Sequence, residues 1–362
     1  MLEARKIGDR GTTKADGIRG AGVSATSRKF LGCKRRLARW VADSIFAVAG
    51  KPASFIDGFC GTGAIGLEML SRGVGHVTCV DNLLSNTVIL DGVLSGPDPE
   101  RLRCALSHLN AVRPQPGYAT RWYADTYFTR DNCMRIDAIR PQVDQLLEAG
   151  RIGPRERSAL LASLLLACDR VANTVGQYDA YLKHLGSRPI EGGRHLVDSR
   201  VYEPLRLAPL RTIEAPGAQV LTGDLLDLAP RIDAEVVYLD PPYTTRQYID
   251  NYHVLENIAR WQQPELSGKT RKFPRSHLKS PFSTRRGAAR AIGALLEALR
   301  ARWIMISYNS EGIVPIADLV ALARCHGPVR MLSRPYPVFG GGAGVARRRS
   351  VTECLVMIGP RR

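Results

Sequence analysis

The sequence predicts an α/β fold in which helices connect the strands of a parallel sheet. Residues 53–57 are apolar with an extended pattern, a glycine-rich stretch follows them, and residues 64–70 show helical periodicity. A second apolar run at residues 77–80 ends in Asp81. This alternation is typical of parallel sheets, because their strands must be joined by crossover segments.

A long segment in the middle of the chain is helical and has no strand pattern. Residues 131–186 carry apolar residues at helical spacing, and we predict a helical insertion that continues irregularly to residue 210. The strand pattern resumes after it. Further strands are predicted around Val220 and at residues 235–239, 303–307, 329–332 and 351–358, the last two as a C-terminal β-hairpin.

These patterns divide the chain into three regions. Residues 1–28 are rich in glycine, arginine and threonine, and predict a flexible basic tail. Residues 29–130 and 211–362 contain the predicted strands and are expected to form one domain. Residues 131–210 therefore interrupt a single sheet domain as an insertion.

The chain carries a large excess of positive charge. Lys and Arg number 51 against 34 Asp and Glu, which gives a formal net charge of +17 and a pI near 9.8. Such an excess predicts a polyanionic partner, of which nucleic acid is the commonest. A basic but inert surface has the same composition, so both interpretations stay open at this point.

The sequence gives no support to metal or membrane binding. The eight cysteines include no closely spaced pair, so we expect neither a zinc site nor a disulfide scaffold, and no metal. The first 28 residues lack the apolar core of a signal peptide. The longest apolar stretch, around residues 159–167, is too short to span a bilayer. We therefore expect a cytoplasmic, nucleoid-associated protein.

The glycine-rich stretch predicts a nucleotide-binding loop. Gly61-Thr62-Gly63-Ala64-Ile65-Gly66 follows a strand and precedes a helix, and Asp81 stands where a carboxylate would accept two ribose hydroxyls. NAD, FAD and S-adenosylmethionine all fit this pattern, as does a glycine turn without a ligand.

The residues just before the glycines narrow the choice of ligand. Asp57 ends the first predicted strand, where its carboxylate would repel a pyrophosphate. The ammonium and sulfonium groups of S-adenosylmethionine would be attracted instead. The predicted cofactor is therefore S-adenosylmethionine, held by Asp57, Gly58 and Phe59 together with Gly61 and Gly63.

The most informative segment is Asp240-Pro241-Pro242-Tyr243, directly after the apolar run 235–239. Two prolines end a strand because they lack an N–H and fix the backbone, and a simple strand-ending turn would explain them equally well. The added acid and tyrosine are more specific, since ligands of open α/β sheets bind at the carboxyl edge where these residues stand.

These four residues suit methyl transfer to an exocyclic amine, whose lone pair is delocalised into the aromatic ring. We expect Asp240 and the Pro241 carbonyl to accept the two N–H groups, with Pro242 fixing the backbone and Tyr243 stacking on the base. The transfer would be a direct in-line displacement from the sulfonium, without a metal or a covalent intermediate. A base in a duplex would have to be flipped out first.

The motifs resemble those of the Dam-like, alpha-arrangement adenine-specific DNA methyltransferases, and the resemblance covers nearly everything after residue 28. Asp240 to Tyr243 matches the family's catalytic motif, and the glycine loop with Asp81 looks like its cofactor site. Residues 303–309 resemble a later strand, and residues 329–358 the terminal hairpin. The resemblance implies a Rossmann-like methyltransferase sheet that acts on double-stranded DNA.

The resemblance also implies cofactor-binding residues outside the glycine loop. Residues 29–34 are similar to the N-terminal cofactor motif, in which Phe30 and Lys34 would face the pocket. Asp224 stands in the short motif whose acid would approach the adenine of the cofactor. The family's recognition region lies where the insertion lies here, but the sequence of the insertion matches no known target.

Two basic segments are candidates for DNA contact. Residues 268–290 contain eight Lys or Arg and no acid, and predict a basic surface loop beside DNA phosphates, with a solvated loop as the alternative. The hairpin loop, residues 340–349, offers glycines for close approach. The candidate DNA-binding residues are Lys269, Arg271, Lys272 and Arg275 in the first segment and Arg347, Arg348 and Arg349 in the second.

We expect the insertion to read the DNA sequence and the hairpin to anchor the DNA backbone. Helices fit the major groove and reach base edges, whereas clustered arginines on a glycine-rich loop mainly contact phosphates. A cognate restriction endonuclease is a candidate partner.

Other functions share part of this evidence. The tetrapeptide also suits the exocyclic amine of cytosine in DNA or adenine in RNA, although a serine in place of Asp240 is usual for cytosine. An NAD-dependent oxidoreductase would explain the glycine loop but neither the tetrapeptide nor the charge. A non-catalytic DNA-binding protein would explain the charge alone.

Overall fold

Seven described strands form one mixed sheet in the computed structural model, which describes residues 33–174, 176–182, 185, 198–338 and 349–361. The strands are β1 Ser54–Asp57, β2 His76–Asp81, β3 Ala218–Thr222, β4 Asp233–Leu239, β5 Arg300–Asn309, β6 Val329–Val338 and β7 Arg349–Ile358. Their order is β3-β2-β1-β4-β5-β7-β6, with β1 to β5 parallel and β7 antiparallel to β5 and β6. The predicted α/β fold is confirmed.

Helices surround the sheet. They are α1 Ala38–Ala49, α2 Ala64–Ser71, α3 Leu84–Leu94, α4 Pro99–Ala111, α5 Tyr118–Tyr123, α6 Arg130–Glu148, α7 Pro154–Val171, α8 Leu225–Leu228, α9 Tyr248–Arg260, α10 Ala288–Ala298 and α11 Ile316–Arg324. No described helix has the length and apolar character that crossing a membrane requires. The predicted tail, residues 1–28, lies outside the described residues.

The alternation of side chains along β4 explains why both faces of the sheet are covered. Val236 and Tyr238 pack into one core with apolar residues of α1 and α2. Val237 and Leu239 point the other way and pack with α10. Successive residues of a strand face opposite sides, so a central strand that is apolar throughout needs helices on both faces.

The sheet order reverses between β1 and β4. The chain passes from β1 outward to β2 and from β4 outward to β5, while Asp57 is paired with both Cys79 and Tyr238 in register. The strands therefore end side by side, with Asp57 closing β1, Asp81 closing β2 and Asp240 directly following β4. This carboxyl edge at the reversal is where parallel sheets bind ligands.

The helical layer extends beyond the predicted insertion. Within residues 131–210, α6 and α7 confirm the helical character. However, α4 and α5 precede residue 131 and share one apolar core with α3, α6, α7 and α9. Helices α3 and α7 pack so closely that a Cβ on Gly92 would lie 2.7 Å from the Ser158 carbonyl oxygen. A separate domain at residues 131–210 stays a prediction.

Candidate functional site

A pocket lies at the carboxyl edge of the sheet, where β1, β2 and β4 end. Among the described residues that line it, four are acids, Asp57, Asp81, Asp224 and Asp240, and one is basic, Lys34. The structure thus brings together five predicted site residues from separate parts of the chain. Because the lining carries more negative than positive groups, the pocket suits a ligand with positive charge.

The loop after β1 adopts a backbone that favours glycine and fixes Asp81 beside the pocket. Gly61 and Gly63 have φ angles of 53° and 72°, in the left-handed region where a Cβ is disfavoured. The Gly61 N–H donates to Asp81 Oδ2 at 2.9 Å, and the Leu83 N–H donates to Oδ1 at 2.9 Å. Burial raises the pKa of Asp81, and these N–H donors oppose the rise.

Asp57 lies under the same loop and is fully buried. Its Oδ2 accepts a hydrogen bond from the Gly66 N–H of α2 at 3.0 Å. Burial raises the pKa of Asp57 to about 7, because the Gly66 donor offsets only part of the desolvation and the carboxylates of Asp240 and Asp81 add to it. Helix α2 reaches Asp57 because Gly66 has no side chain: a Cβ there would lie 2.5 Å from Cys79 Sγ.

Asp240 is paired with Lys34, which lies in the short helical turn before α1. Lys34 Nζ is 3.2 Å from Asp240 Oδ1 and 2.5 Å from Oε1 of Glu353 on β7. Burial opposes the charged ammonium, but the two carboxylates outweigh it and raise the pKa of Lys34. Burial raises the pKa of Asp240 to about 7 against the attraction of Lys34, and Glu353 adds to the rise.

The rest of the Asp-Pro-Pro-Tyr segment holds a tyrosine ring beside this charged group. Pro241 and Pro242 are buried, and Pro242 lines the pocket. The Tyr243 ring centroid is 5.5 Å from Lys34 Nζ, a cation–π distance, and 6.3 Å from the ring of Tyr308 in an edge contact. The Tyr243 ring is therefore fixed in place next to Asp240.

Aromatic and helix-capping residues form another part of the lining. Phe59 meets Phe282 edge to face, with ring centroids 5.1 Å apart. Asp224 caps α8 through a 2.9 Å hydrogen bond from the Leu226 N–H to Oδ1. The sequence analysis missed Phe282 as a lining residue, because it lies in the segment whose basic charge pointed to DNA.

The basic segment, residues 268–290, is irregular with two short helical turns up to Ala288, where α10 begins, and its residues Phe273, Leu278 and Phe282 are buried. Lys272 Nζ donates to Asp179 at 2.6 Å and lies 3.5 Å from Asp250, while Arg275 Nε donates to Asp250 at 2.6 Å. These two basic residues are thus paired within the protein. Lys269 is exposed and Arg271 half-buried.

Some predicted site residues are not described. Phe30, Arg347 and Arg348 lie outside the described residues, and Arg349 is the first residue of β7. Gly58 is packed under the side chains of Leu225 and Leu239 and lines the pocket. Across the described part of the chain, no three His, Cys, Asp or Glu side chains are grouped as a metal ion requires.

Glu353 is a site residue that the sequence analysis missed. Its side chain is 3% exposed, and its Oε1 accepts hydrogen bonds from Lys34 and from the Ser307 hydroxyl, the latter at 2.8 Å. The signal in the sequence was a lone acid within the apolar run 351–358. A buried carboxylate is costly without partners, so an acid in such a run indicates a buried cation nearby.

We expect Asp57→Asn to gain stability relative to the wild-type protein as the pH rises. The pKa of Asp57 is raised from 3.8 to about 7, so the folded state keeps a proton that the unfolded state releases. The stability that this proton contributes is fully present below 3.8, the pKa of Asp57 in the unfolded chain. It is lost as the pH rises through about 7, the pKa in the folded protein. The asparagine has no such proton. Urea unfolding gives the free energy of unfolding of Asp57→Asn minus that of wild type. This difference should increase by on the order of 2 kcal/mol between about pH 5 and about pH 9.

Asp318→Asn is the matched control, since Asp318 is an exposed acid of α11. Its effect on the free energy of unfolding should change little with pH. A difference between Asp57→Asn and wild type that stays constant across the pH range would contradict the raised pKa.

Comparison with known proteins finds relatives along most of the chain. The type II methyltransferase M.NlaIII of Neisseria lactamica is 29% identical over 322 residues, which cover 86% of this chain and 92% of that protein. M.CviAII of Paramecium bursaria Chlorella virus 1 is 30% identical over 321 residues, with the same shares. The modification methylase StsI of Streptococcus sanguinis is 30% identical over 249 residues, which cover 67% of this chain but 36% of that protein.

A family model gives the same result from a different comparison. The model described as D12 class N6 adenine-specific DNA methyltransferase matches residues 30–320, a span that contains Lys34, the glycine loop and the Asp-Pro-Pro-Tyr segment. The chain therefore belongs to the D12 class N6 adenine-specific DNA methyltransferase family.

Proposed function

We propose that this protein transfers a methyl group from S-adenosylmethionine to the 6-amino group of an adenine flipped out of double-stranded DNA, at a specific sequence. The observation that carries the proposal is the convergence of Asp240 with Asp57 and Asp81 on one pocket. Membership of the adenine-specific family supports the choice of base.

The residues of the pocket fit the proposed cofactor. The excess of carboxylates suits a ligand with ammonium and sulfonium groups, and the buried carboxylate of Asp57 would lie with the ammonium. Asp81 accepts the Gly61 and Leu83 N–H groups and the Asn86 side-chain amide, and keeps one lone pair, on Oδ2, for a ribose hydroxyl. Asp224 would approach the cofactor adenine beside Phe59. When bound, S-adenosylmethionine supplies the methyl group.

Asp240 acts on the target base in this proposal. An ionised carboxylate accepts one N–H of the amine, and the Pro241 carbonyl accepts the other, which frees the lone pair of the nitrogen. The nearby ammonium of Lys34 favours the ionised form of Asp240, although burial opposes it. The Tyr243 ring, fixed by Tyr308, provides the face on which the base stacks.

DNA contacts follow from the charge of the chain and the position of the insertion. Lys269 and Arg271 are proposed phosphate contacts, and Lys272 and Arg275 weaker ones because they are already paired with Asp250. Helices α6 and α7 would read the sequence, and Arg347, Arg348 and Arg349 would anchor the backbone. Because the relatives include modification methylases, a cognate endonuclease is a proposed partner, in the cytoplasm with the DNA.

The proposal predicts separate roles for Asp240 and Asp81. Asp240→Ala should abolish methylation but keep cofactor binding, because its carboxylate orients the amine. Asp81→Ala should weaken cofactor binding, since the carboxylate contact to the ribose is lost. Calorimetric titration with S-adenosylmethionine and a tritiated-methyl assay on duplex DNA measure the two effects. Equal loss of cofactor binding in both variants would contradict the separation of roles.

The role of the basic segment is tested by the salt dependence of DNA binding. Lys269→Ala should reduce the slope of log affinity against log salt concentration by about 1, on every DNA sequence tested. Lys272→Ala is the matched comparison and should change the slope less, because Lys272 pairs with Asp179 and Asp250. An unchanged slope for Lys269→Ala would support a solvated loop without a role.

A further inference from the structure

The ammonium of Lys34 is shared unequally between two buried carboxylates. It donates a hydrogen bond to Glu353 Oε1 at 2.5 Å, whereas Asp240 Oδ1 lies 3.2 Å away. That Asp240 oxygen is buried and has no hydrogen-bond partner among the described residues. Lys34 therefore forms an ion pair with Asp240 and lowers its pKa, but its ammonium lies closer to Glu353.

The sheet holds Glu353 in this position. Glu353 on β7 lies opposite Asn309 in the antiparallel pairing with β5, and Ser307 of β5 lies opposite Leu355. The Ser307 hydroxyl donates to Glu353 Oε1 at 2.8 Å. The Glu353 carboxylate thus accepts from two donors, the Ser307 hydroxyl and the Lys34 ammonium. Because Ser307 holds the carboxylate in place, the Lys34 ammonium is held toward Glu353.

A buried carboxylate is costly in a protein core unless a cation or hydrogen-bond donors compensate for the lost water, and Lys34 compensates Asp240 only in part. The proposed reaction requires the Asp240 carboxylate as an acceptor, since the target amine must bring an N–H to it, and the Asp240 side chain is 13% exposed where it lines the pocket. If Lys34 moved closer to Asp240, its ammonium would fill that acceptor and compete with the amine.

We propose that Glu353 is a positioning residue for methyl transfer: by holding the Lys34 ammonium, it keeps the Asp240 carboxylate available to the target amine. The inference rests on the proposed role of Asp240. Glu353 does not touch the base in this account and acts through Lys34.

The charges around Asp240 fix the direction of the expected change with pH. The titratable groups that interact with it are Lys34, Asp57, Tyr238, Tyr243, Tyr248 and Glu353. Of these, the carboxylate of Glu353 raises the pKa of Asp240 and Lys34 lowers it. Removing the charge of Glu353 both removes a repulsion and releases Lys34 toward Asp240, so both changes lower the pKa of Asp240.

The test is Glu353→Gln, which keeps the shape of the side chain and removes its charge. At saturating cofactor, kcat should fall by about tenfold or more, the effect of losing one hydrogen bond to a charged group. The acid limb of the pH profile of kcat/KM for DNA should move to lower pH. Calorimetric affinity for S-adenosylmethionine should fall by less than kcat, because Glu353 itself does not line the pocket and acts only through Lys34.

Two further variants keep the inference falsifiable. Ser307→Ala removes the second donor to Glu353 and should lower kcat less, in the same direction. Glu297→Gln makes the same chemical change at an exposed residue of α10 and should leave kcat, the pH profile and cofactor affinity unchanged.

A reduced kcat without movement of the acid limb would show a merely structural role for Glu353 and overturn the inference. Wild-type kcat in a folded Glu353→Gln protein would overturn it as well. Failure of the proposed function is a separate outcome: it would appear as undiminished methylation by Asp240→Ala.

Discussion

One ammonium group, that of Lys34, balances only part of the negative charge buried at the carboxyl edge of this sheet. Glu353 binds it most closely, Asp240 shares it, and Asp57 has no basic partner among the residues that the structure describes. Burial therefore raises the pKa of both Asp57 and Asp240 to about 7. A cation that entered the pocket would offset this negative charge, which is the physical reason that the lining suits the proposed cofactor, S-adenosylmethionine.

The topology of the sheet explains why the buried carboxylates outnumber the basic groups at this edge. The reversal between β1 and β4 brings Asp57, Asp81 and Asp240 to one edge, and the antiparallel β7 adds Glu353 from the far end of the chain. The proposed acceptor for the base and the proposed cofactor-binding acids thus share one low-dielectric region. In the sequence, β7 directly follows the arginine-rich residues proposed to anchor DNA, so the two proposed roles fall on neighbouring parts of the chain.

Much of the sheet and pocket could be predicted because local patterns specify them. The strands, the loop around Gly61 and the segment after β4 follow from short runs of sequence. Glu353 could not be assigned, since its role depends on pairing with Lys34 across 319 positions. The pairing of Arg275 with Asp250 was likewise missed, because a basic run does not show which acids fold against it. Helices α4 and α5 join the insertion's core through packing that periodicity alone does not indicate.

The most direct test of this account is the number of protons released when S-adenosylmethionine binds. A cation beside Asp57 lowers its pKa from about 7, so binding near pH 7 should release protons. Calorimetry in two buffers of different ionisation enthalpy measures this release, and Asp57→Asn should reduce it. An observed binding enthalpy that is the same in both buffers, or proton uptake, would contradict the claim that the cofactor's positive charge completes the pocket.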